Sequence, residues 1–107
     1  MWIDDKGKYE KIYKNFDKIN HFPTECPVCS RKSLHIYMHI YDDLTKRGGL
    51  WIWCSQCRTY LHGSIYVRKG WENSTIVDKN KLTAYPDYLD EIHDAIDIQV
   101  NTVKKKF

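Results

Sequence analysis

Two cysteine pairs constrain this chain of 107 residues more than any other feature of its sequence. Cys26 and Cys29 form one C-x2-C turn, and Cys54 and Cys57 form a second. Each turn can direct two sulfurs at one ion, so the two turns together supply the tetrahedral four-thiolate shell that Zn²⁺ prefers. Two disulfides, an iron–sulfur or redox centre and four unrelated thiols are the alternatives. We predict a structural Zn²⁺ site with no open position for catalysis.

Three segments alternate between apolar and polar residues with a period of two, which predicts β-strands over 33–41, 50–53 and 59–68. A charged turn over 42–49, which ends in Gly48 and Gly49, joins the first two strands into a hairpin. Pairing of the three strands gives a sheet with one aliphatic face and one aromatic face. The aliphatic face comprises Leu34, Ile36, Met38, Ile40, Leu50, Ile52, Leu61, Ile65 and Val67.

Two amphipathic helices are predicted on either side of the strands. The first covers 9–19, and the second, longer helix covers 87–105, with acidic residues near its start and lysines at its end. We expect the apolar stripe of the second helix to cover the aliphatic face of the sheet. The chain is predicted to form a single domain over 1–107. Its segments are an N-terminal helical part (1–25), the strands with the cysteines (26–70), a loop (71–86) and the C-terminal helix (87–105).

The CPxC turn, the second cysteine pair and the strand pattern over about residues 24–68 resemble a zinc ribbon. The resemblance implies an α+β fold in which a three-stranded antiparallel, zinc-ribbon-like sheet is flanked by the two helices. The sequence departs from the family at one point. Many ribbon turns carry Gly directly after the second cysteine, whereas Ser30 and Arg58 occupy those positions here.

The aromatic face of the predicted sheet admits two interpretations. It is either a second layer of the core, covered by the helix over 9–19, or a partly exposed recognition surface. In the second case Tyr37, Trp51, Trp53 and Tyr66 would anchor a protein. The same rings would alternatively stack on the bases of single-stranded nucleic acid, with Arg58, Arg68 and Lys69 near its phosphates. The whole face comprises His35, Tyr37, His39, Tyr41, Trp51, Trp53, Tyr60, His62, Tyr66 and Arg68.

Charge and composition limit the classes of function. The net charge of +3 does not by itself require nucleic acid, although residues 26–71 carry seven basic and two acidic side chains. No signal peptide is visible and no apolar run approaches about 18 residues, so we expect a cytoplasmic protein without membrane contact. No paired acid or nucleophile motif accompanies His35, His39 and His62, and no small-molecule substrate is indicated. We therefore expect that the protein is not an enzyme.

A binding function remains as the expectation. The pattern CPxC…GxLWxWCSxCxxxxHxS…W, which runs from Cys26 to Trp71, resembles small bacterial zinc-ribbon proteins. Some of these look like antitoxin or immunity partners of secreted toxins. The resemblance implies a structural-zinc module that recognises another protein by binding and occluding it. The alternative is a zinc ribbon that binds nucleic acid, to which the Lys104–Lys106 tail would add phosphate contacts. Strong salt dependence of binding would indicate this alternative.

Overall fold

A computed structural model describes all of residues 1–107. Its β-strands are β1 (Ile3–Asp4), β2 (Leu34–Asp42), β3 (Arg47–Cys54) and β4 (Thr59–Tyr66). Its α-helices are α1 (Lys6–Lys14), α2 (Asp87–Glu91) and α3 (His93–Lys104), and short 3-10 helices cover Phe16–Lys18 and Lys79–Lys81. The three strands predicted from alternation are confirmed with shifted bounds, and the protein has a mixed α+β fold.

The sheet has four strands in the order β1-β4-β3-β2, which corrects the prediction of three antiparallel strands. β2, β3 and β4 form the expected antiparallel meander. β1 pairs with β4 in parallel, through Ile3 opposite Thr59 and Asp4 opposite Tyr60. A strand of two residues is too short to show any periodicity, and for that reason the sequence pattern does not reveal it.

Gly48 and Gly49 lie inside β3 and pair with β2, whereas the sequence placed them in the turn. A Cβ atom at Gly48 would come within 2.0 Å of the carbonyl oxygen of His39, next to a bulge in β2. A Cβ atom at Gly49 would meet the indole ring of Trp51 at 2.8 Å. The two glycines therefore allow the backbone of β2 and the ring of Trp51 to approach β3 closely.

The C-terminal half of the chain covers the aromatic face of the sheet, not the aliphatic face as expected. Trp53 Nε1 donates to Asp90 of α2, and His35 contacts Asp97 of α3. The loop over 71–86 lies on the same face, because Trp51 Nε1 donates to the carbonyl of Thr83. The physical reason is hydrogen bonding, since this face of the sheet carries donors and the C-terminal segment supplies acidic and carbonyl acceptors.

The N-terminal segment lies against the aliphatic face. Tyr13 and Phe16 share the walls of a small cavity with Met38. Tyr9 of α1 is fully buried, and its hydroxyl lies 3.2 Å from Cys26 Sγ. The helix predicted over 9–19 thus begins three residues earlier, ends at Lys14 and covers the opposite face from the one proposed for it.

The two layers meet beyond the edge of β2. Asn101 of α3 accepts a hydrogen bond from the backbone N–H of Phe22 at 2.8 Å and donates to its carbonyl at 2.7 Å. The predicted C-terminal helix is interrupted at Ile92, so that α2 and α3 are separate. No helix combines the length and the apolar composition needed to cross a bilayer.

Candidate metal centre

The four cysteines converge at one end of the sheet. Cys54 is the last residue of β3, and Cys57 follows in the turn that leads into β4. Cys26 and Cys29 lie in the turn that precedes β2. The bridge between Thr24 and Leu34 and the pairing of Leu34 with Cys54 hold the first turn next to the second. Residues far apart in sequence are thereby brought together by the strands.

The distances between the sulfurs match one tetrahedral ion. Cys26 Sγ lies 3.8 Å from Cys57 Sγ, and Cys29 Sγ lies 3.7 Å from Cys54 Sγ. All four sulfurs lie within 4.8 Å of one another. With Zn–S bonds of about 2.3 Å, the edge of a regular tetrahedron is about 3.8 Å. The cysteines are free thiols in this structure and do not form the two alternative disulfides. The cluster is compatible with a zinc site.

Hydroxyl groups lie next to three of the four sulfurs. Tyr9 Oη lies 3.2 Å from Cys26 Sγ, Ser33 Oγ lies 3.0 Å from Cys54 Sγ, and Thr59 Oγ1 lies 3.3 Å from Cys57 Sγ. Burial raises the pKa of the Tyr9 phenol far above its usual range, so the phenol keeps its proton and can donate it to a thiolate. Donation from Tyr9 and Ser33 would stabilise the negative charge of a four-thiolate shell, whereas at Cys57 the thiol itself donates to Thr59 Oγ1.

The thiols differ in acidity before any ion binds. Burial raises the pKa of Cys26 and of Cys54. Burial also acts to raise the pKa of Cys57, but its hydrogen bonds to Thr59 and to neighbouring sulfurs outweigh this and lower the pKa to about 7. An ion must displace the protons from Cys26 and Cys54, and this couples metal binding to proton release.

The residues after each cysteine pair adopt the left-handed conformation, with φ of +67° at Ser30 and +63° at Arg58. Gly adopts this conformation more readily than any other residue, so the structure gives Ser30 and Arg58 the backbone geometry of the glycines that the sequence resemblance leads one to expect there. The N–H of Ser30 donates to the carbonyl of Cys26, and that of Arg58 donates to the carbonyl of Cys54. The two turns therefore have matching backbone geometry.

Asp90 of α2 connects the second cysteine turn to the C-terminal helices. Ser55 Oγ, within the turn, donates to Asp90 Oδ1 at 2.6 Å, and Trp53 Nε1 donates to the same oxygen at 3.0 Å. Arg58 Nη1 donates to Asp90 Oδ2 at 2.9 Å, and its guanidinium lies over the ring of Trp2. Three donors from the metal end of the sheet thus converge on one carboxylate.

We expect Asp90→Asn to destabilise the metal-loaded protein by about 1–3 kcal/mol, because an amide nitrogen would face one of the three donors and leave it without an acceptor. Urea unfolding followed by circular dichroism measures the change. Glu91→Gln is the matched control, since the neighbouring carboxylate is exposed. A variant that unfolds at the same urea concentration as the control would show that Asp90 does not connect the two parts.

His35 lies in a polar network that the sequence reasoning missed. Its Nδ1 lies 2.9 Å from both carboxylate oxygens of Asp97, and its Nε2 lies 2.8 Å from Ser55 Oγ. An acid and a serine therefore do accompany this histidine, contrary to the expectation from the sequence. The serine lies 20 residues and the acid 62 residues away along the chain, so only the folded sheet and α3 bring the three together.

The Ser–His–Asp order of this network is that of a charge-relay triad, but its proton directions differ from those of a triad. The single proton of the Ser55 hydroxyl lies on the bond to Asp90, which is acceptor-only when ionised. His35 Nε2 must then donate to Ser55 Oγ and cannot accept its proton. In this arrangement His35 does not activate Ser55 as a nucleophile.

Most of the predicted binding residues on the aromatic face are buried. Tyr37, Trp51 and Trp53 are at most 1 % exposed, so the interpretation of this part of the face as an open recognition surface is corrected. Tyr66 is 69 % exposed and lies at the far end of β4. The loop and helices of the C-terminal half cover the other three, and the helix over 6–14 does not. These three side chains form a second core layer.

The remaining histidines of this face have structural partners. Tyr37 Oη lies 2.8 Å from His39 Nδ1, and the ring of His62 stacks on Trp51 at 4.8 Å between centroids. Burial lowers the pKa of His39 below its usual value. These contacts give His39 and His62 a place in the packing of the aromatic face.

The predicted basic residues separate into two groups. Arg58 is bound to Asp90 and lies near the metal end. Arg68 pairs with Asp17 and lines a cleft of about 720 Å³ together with Lys104 and Lys105. The structure thus brings Arg68, which follows β4, together with the C-terminal lysines, although 36 residues separate Arg68 from Lys104.

No protein-family model, no curated protein and no solved structure matches this chain. The function is therefore inferred from the residues and contacts described above.

Proposed function

We propose that the protein is a non-enzymatic binding module, stabilised by one structural Zn²⁺, that recognises another protein. Zinc is the ion assigned to the four-cysteine cluster because a shell of four thiolates with closed tetrahedral spacing suits it and leaves no position for substrate. A reducing compartment such as the cytoplasm keeps such thiols free for the ion. An immunity or antitoxin role, in which the module occludes a toxin, is one form of this proposal.

The observation that carries the proposal is a group of exposed side chains at the end of the sheet opposite the cysteines. We call this group the hairpin end; its members are Tyr41, Leu44, Arg47 and Tyr66. The strand register places Asp42 opposite Arg47, and Arg47 opposite Tyr66. These residues therefore lie side by side across three strands at the same end of the sheet. The nine residues of β2 run from the metal end of the sheet to the hairpin end, which places the two ends roughly 25 Å apart along the strand.

The side chains of the hairpin end have the composition of a binding site. Leu44 is 95 % exposed, and Tyr41 and Tyr66 are each more than half exposed. The guanidinium of Arg47 lies 5.8 Å from the ring centroid of Tyr66. Tyrosine and arginine are enriched among the residues that dominate binding energy, and contiguous exposed apolar patches mark interaction surfaces. In this proposal the zinc holds the sheet rigid while the far end contacts the partner.

The test compares capture of partners from the source cell by three zinc-loaded proteins. We expect a protein partner to bind the wild type about 30-fold more tightly than the double variant Leu44→Ser/Tyr66→Ser, since loss of a central anchor costs about 2 kcal/mol. The matched control, Ile76→Ser/Ile98→Ser, removes two exposed apolar side chains elsewhere. A partner that both double variants retain equally would contradict the assignment of the hairpin end.

The second candidate function is nucleic-acid binding, and the basic cleft is the observation that favours it. Arg68, Lys104 and Lys105 line the cleft, and Asn20 and His21 add polar groups. Part of this charge is already engaged, because Arg68 pairs with Asp17 and Lys104 Nζ donates to the carbonyl of Phe16. Three of the four rings proposed for base stacking are buried, and the fourth, Tyr66, does not line this cleft, so only phosphate contacts support this candidate.

The same capture experiment separates the two candidates. Nucleic-acid binding would fall steeply with salt, would be lost after nuclease treatment and would weaken in Lys105→Ala. Binding of a protein at the hairpin end would not fall steeply with salt, would survive nuclease treatment and would be unchanged in Lys105→Ala.

A further inference from the structure

A second cluster of possible metal ligands lies on the aromatic side of the sheet. His35 of β2 and His93 and Asp97 of α3 place their ligand atoms within 4.8 Å of one another. His93 and Asp97 are four residues apart on one helix, which directs both toward the same point of the sheet. The cluster shares no residue with the four cysteines.

We propose that His35, His93 and Asp97 form a second metal site, which takes a divalent ion of the zinc class. Two imidazole nitrogens with a carboxylate oxygen are a donor set that suits Zn²⁺, Co²⁺ and Ni²⁺. Magnesium and calcium prefer shells made of oxygen alone. The proposal is independent of the protein-recognition function and of the ion held by the cysteines.

The distances require only a small adjustment to accept an ion. His35 Nδ1 lies 2.9 Å from Asp97 Oδ1, and His93 Nδ1 lies 3.9 Å from Asp97 Oδ2. Ligand atoms about 2.1 Å from a common ion lie about 3.0 Å apart at right angles and about 3.4 Å apart at the tetrahedral angle. The first pair is hydrogen-bonded in the structure and already has the spacing of ligands at right angles, so the ion would take the place of the proton between them. A rotation of the His93 ring shortens the second distance.

His93 supplies the observation that points to a ligand. Its Nδ1 is buried and has no hydrogen-bond partner in the structure. Asp94 Oδ1 lies 3.0 Å away but is not aligned for a hydrogen bond. Buried ring nitrogens without partners are rare in folded proteins, and a bound ion or water is a recognised explanation for them. An ion bound to Nδ1 would satisfy this atom.

The other nitrogen of His35 has the partner that a metal ligand needs. Ser55 gives its proton to Asp90, so His35 Nε2 carries a hydrogen and donates it to Ser55 Oγ. A metal-binding histidine usually donates its second N–H to an oxygen, which fixes the ring and leaves the first nitrogen free for the ion. Ser55 and Asp90 perform this positioning role for His35.

The site is open, unlike the four-cysteine cluster. The side chain of His93 is 36 % exposed, whereas those of His35 and Asp97 are nearly buried. Three protein ligands leave at least one position for water, and His93 provides the path by which the ion enters. The ion would also link α3 directly to β2.

Zinc titration of the cadmium-loaded protein tests the proposal. One equivalent of Cd²⁺ first fills the four thiolates and is followed by its ultraviolet thiolate absorption. Titration calorimetry then counts the Zn²⁺ taken up in addition. We expect one further equivalent in the wild type and at least tenfold weaker uptake in His93→Ala and in Asp97→Asn. His21→Ala is the control, because His21 is exposed and lies in the basic cleft.

The outcomes separate this site from the cysteine cluster. Equal zinc uptake by the wild type and His93→Ala, or no uptake by either, would overturn the proposal. Melting temperatures of the cadmium-loaded proteins show whether each variant is folded, and the partly exposed His93 is the substitution that leaves the fold intact. Absence of the cadmium–thiolate band would instead disprove the four-cysteine site, while zinc uptake that depends on His93 would still support the second site.

Discussion

Removal of the metal ion from the four-cysteine cluster is expected to unfold the protein. Structural zinc contributes about 10–16 kcal/mol in small zinc domains, which matches or exceeds the total stability of about 5–15 kcal/mol of a typical domain. Here Cys54 ends the central strand β3 and is fully buried, so the four-cysteine cluster adjoins the core. Without an ion, nothing would hold the four sulfurs together at this end of the sheet. Far-UV circular dichroism of the reduced protein after chelation measures the loss of structure, and thermal melting measures the loss of cooperativity.

Three controls make this result specific. Addition of Zn²⁺ to the chelated protein should restore the spectrum, and Cys57→Ser should behave like the chelated wild type. Val28→Ser changes an exposed residue within the first turn and should leave the metal-loaded protein stable. A reduced, metal-free protein that keeps its native spectrum would show that the four cysteines do not hold a structural ion.

Trp51→Ala and Trp53→Ala are each expected to destabilise the zinc-loaded protein by about 3–5 kcal/mol, the range for removal of large buried rings. Both indoles are almost completely buried, and each donates a hydrogen bond from Nε1, to the carbonyl of Thr83 and to Asp90 respectively. Substitution would leave a cavity and an acceptor without its donor. Denaturant unfolding measures the change, and Trp53→Phe separates ring packing from the hydrogen bond.

Tyr66→Ala is the control for these two variants, because its exposed ring should affect stability by less than about 0.5 kcal/mol. A tryptophan variant that loses partner binding but keeps its melting temperature would contradict the core assignment. That result would restore the earlier interpretation of the aromatic face as a binding surface.

The sequence predicted the parts of the fold that depend on local spacing. The two C-x2-C turns, the alternation in 33–41 and 59–68 and the apolar stripe through Leu89, Ile96 and Val100 each correspond to an observed feature. Such patterns reflect a single turn, strand or helix face, and they can be read from consecutive residues. Once these strands pair, the two cysteine turns lie next to each other, so the convergence of the four cysteines follows from the same local patterns.

The assignment of helices to sheet faces could not be predicted in this way. An apolar stripe indicates that a helix is covered, but it does not say which face of a sheet covers it. Asp90 and Asp97 look like ordinary acids of a solvent-exposed helix in the sequence, yet they accept the donors of Trp53 and contact His35. Hydrogen bonds between buried polar groups of distant segments therefore determine which face of the sheet α2 and α3 cover. No pattern of consecutive residues reveals such contacts.

The covering of the aromatic face by residues 71–104 also has a consequence for the order of events on the ribosome. Both cysteine turns and all of β1–β4 are synthesised before α2 and α3, so the complete four-cysteine cluster is available before the C-terminal helices emerge. Until the last third of the chain emerges, however, Tyr37, Trp51 and Trp53 have nothing to cover them. A chain that is cut or stalled after β4 would expose these rings, and it would be a target for chaperones or for aggregation.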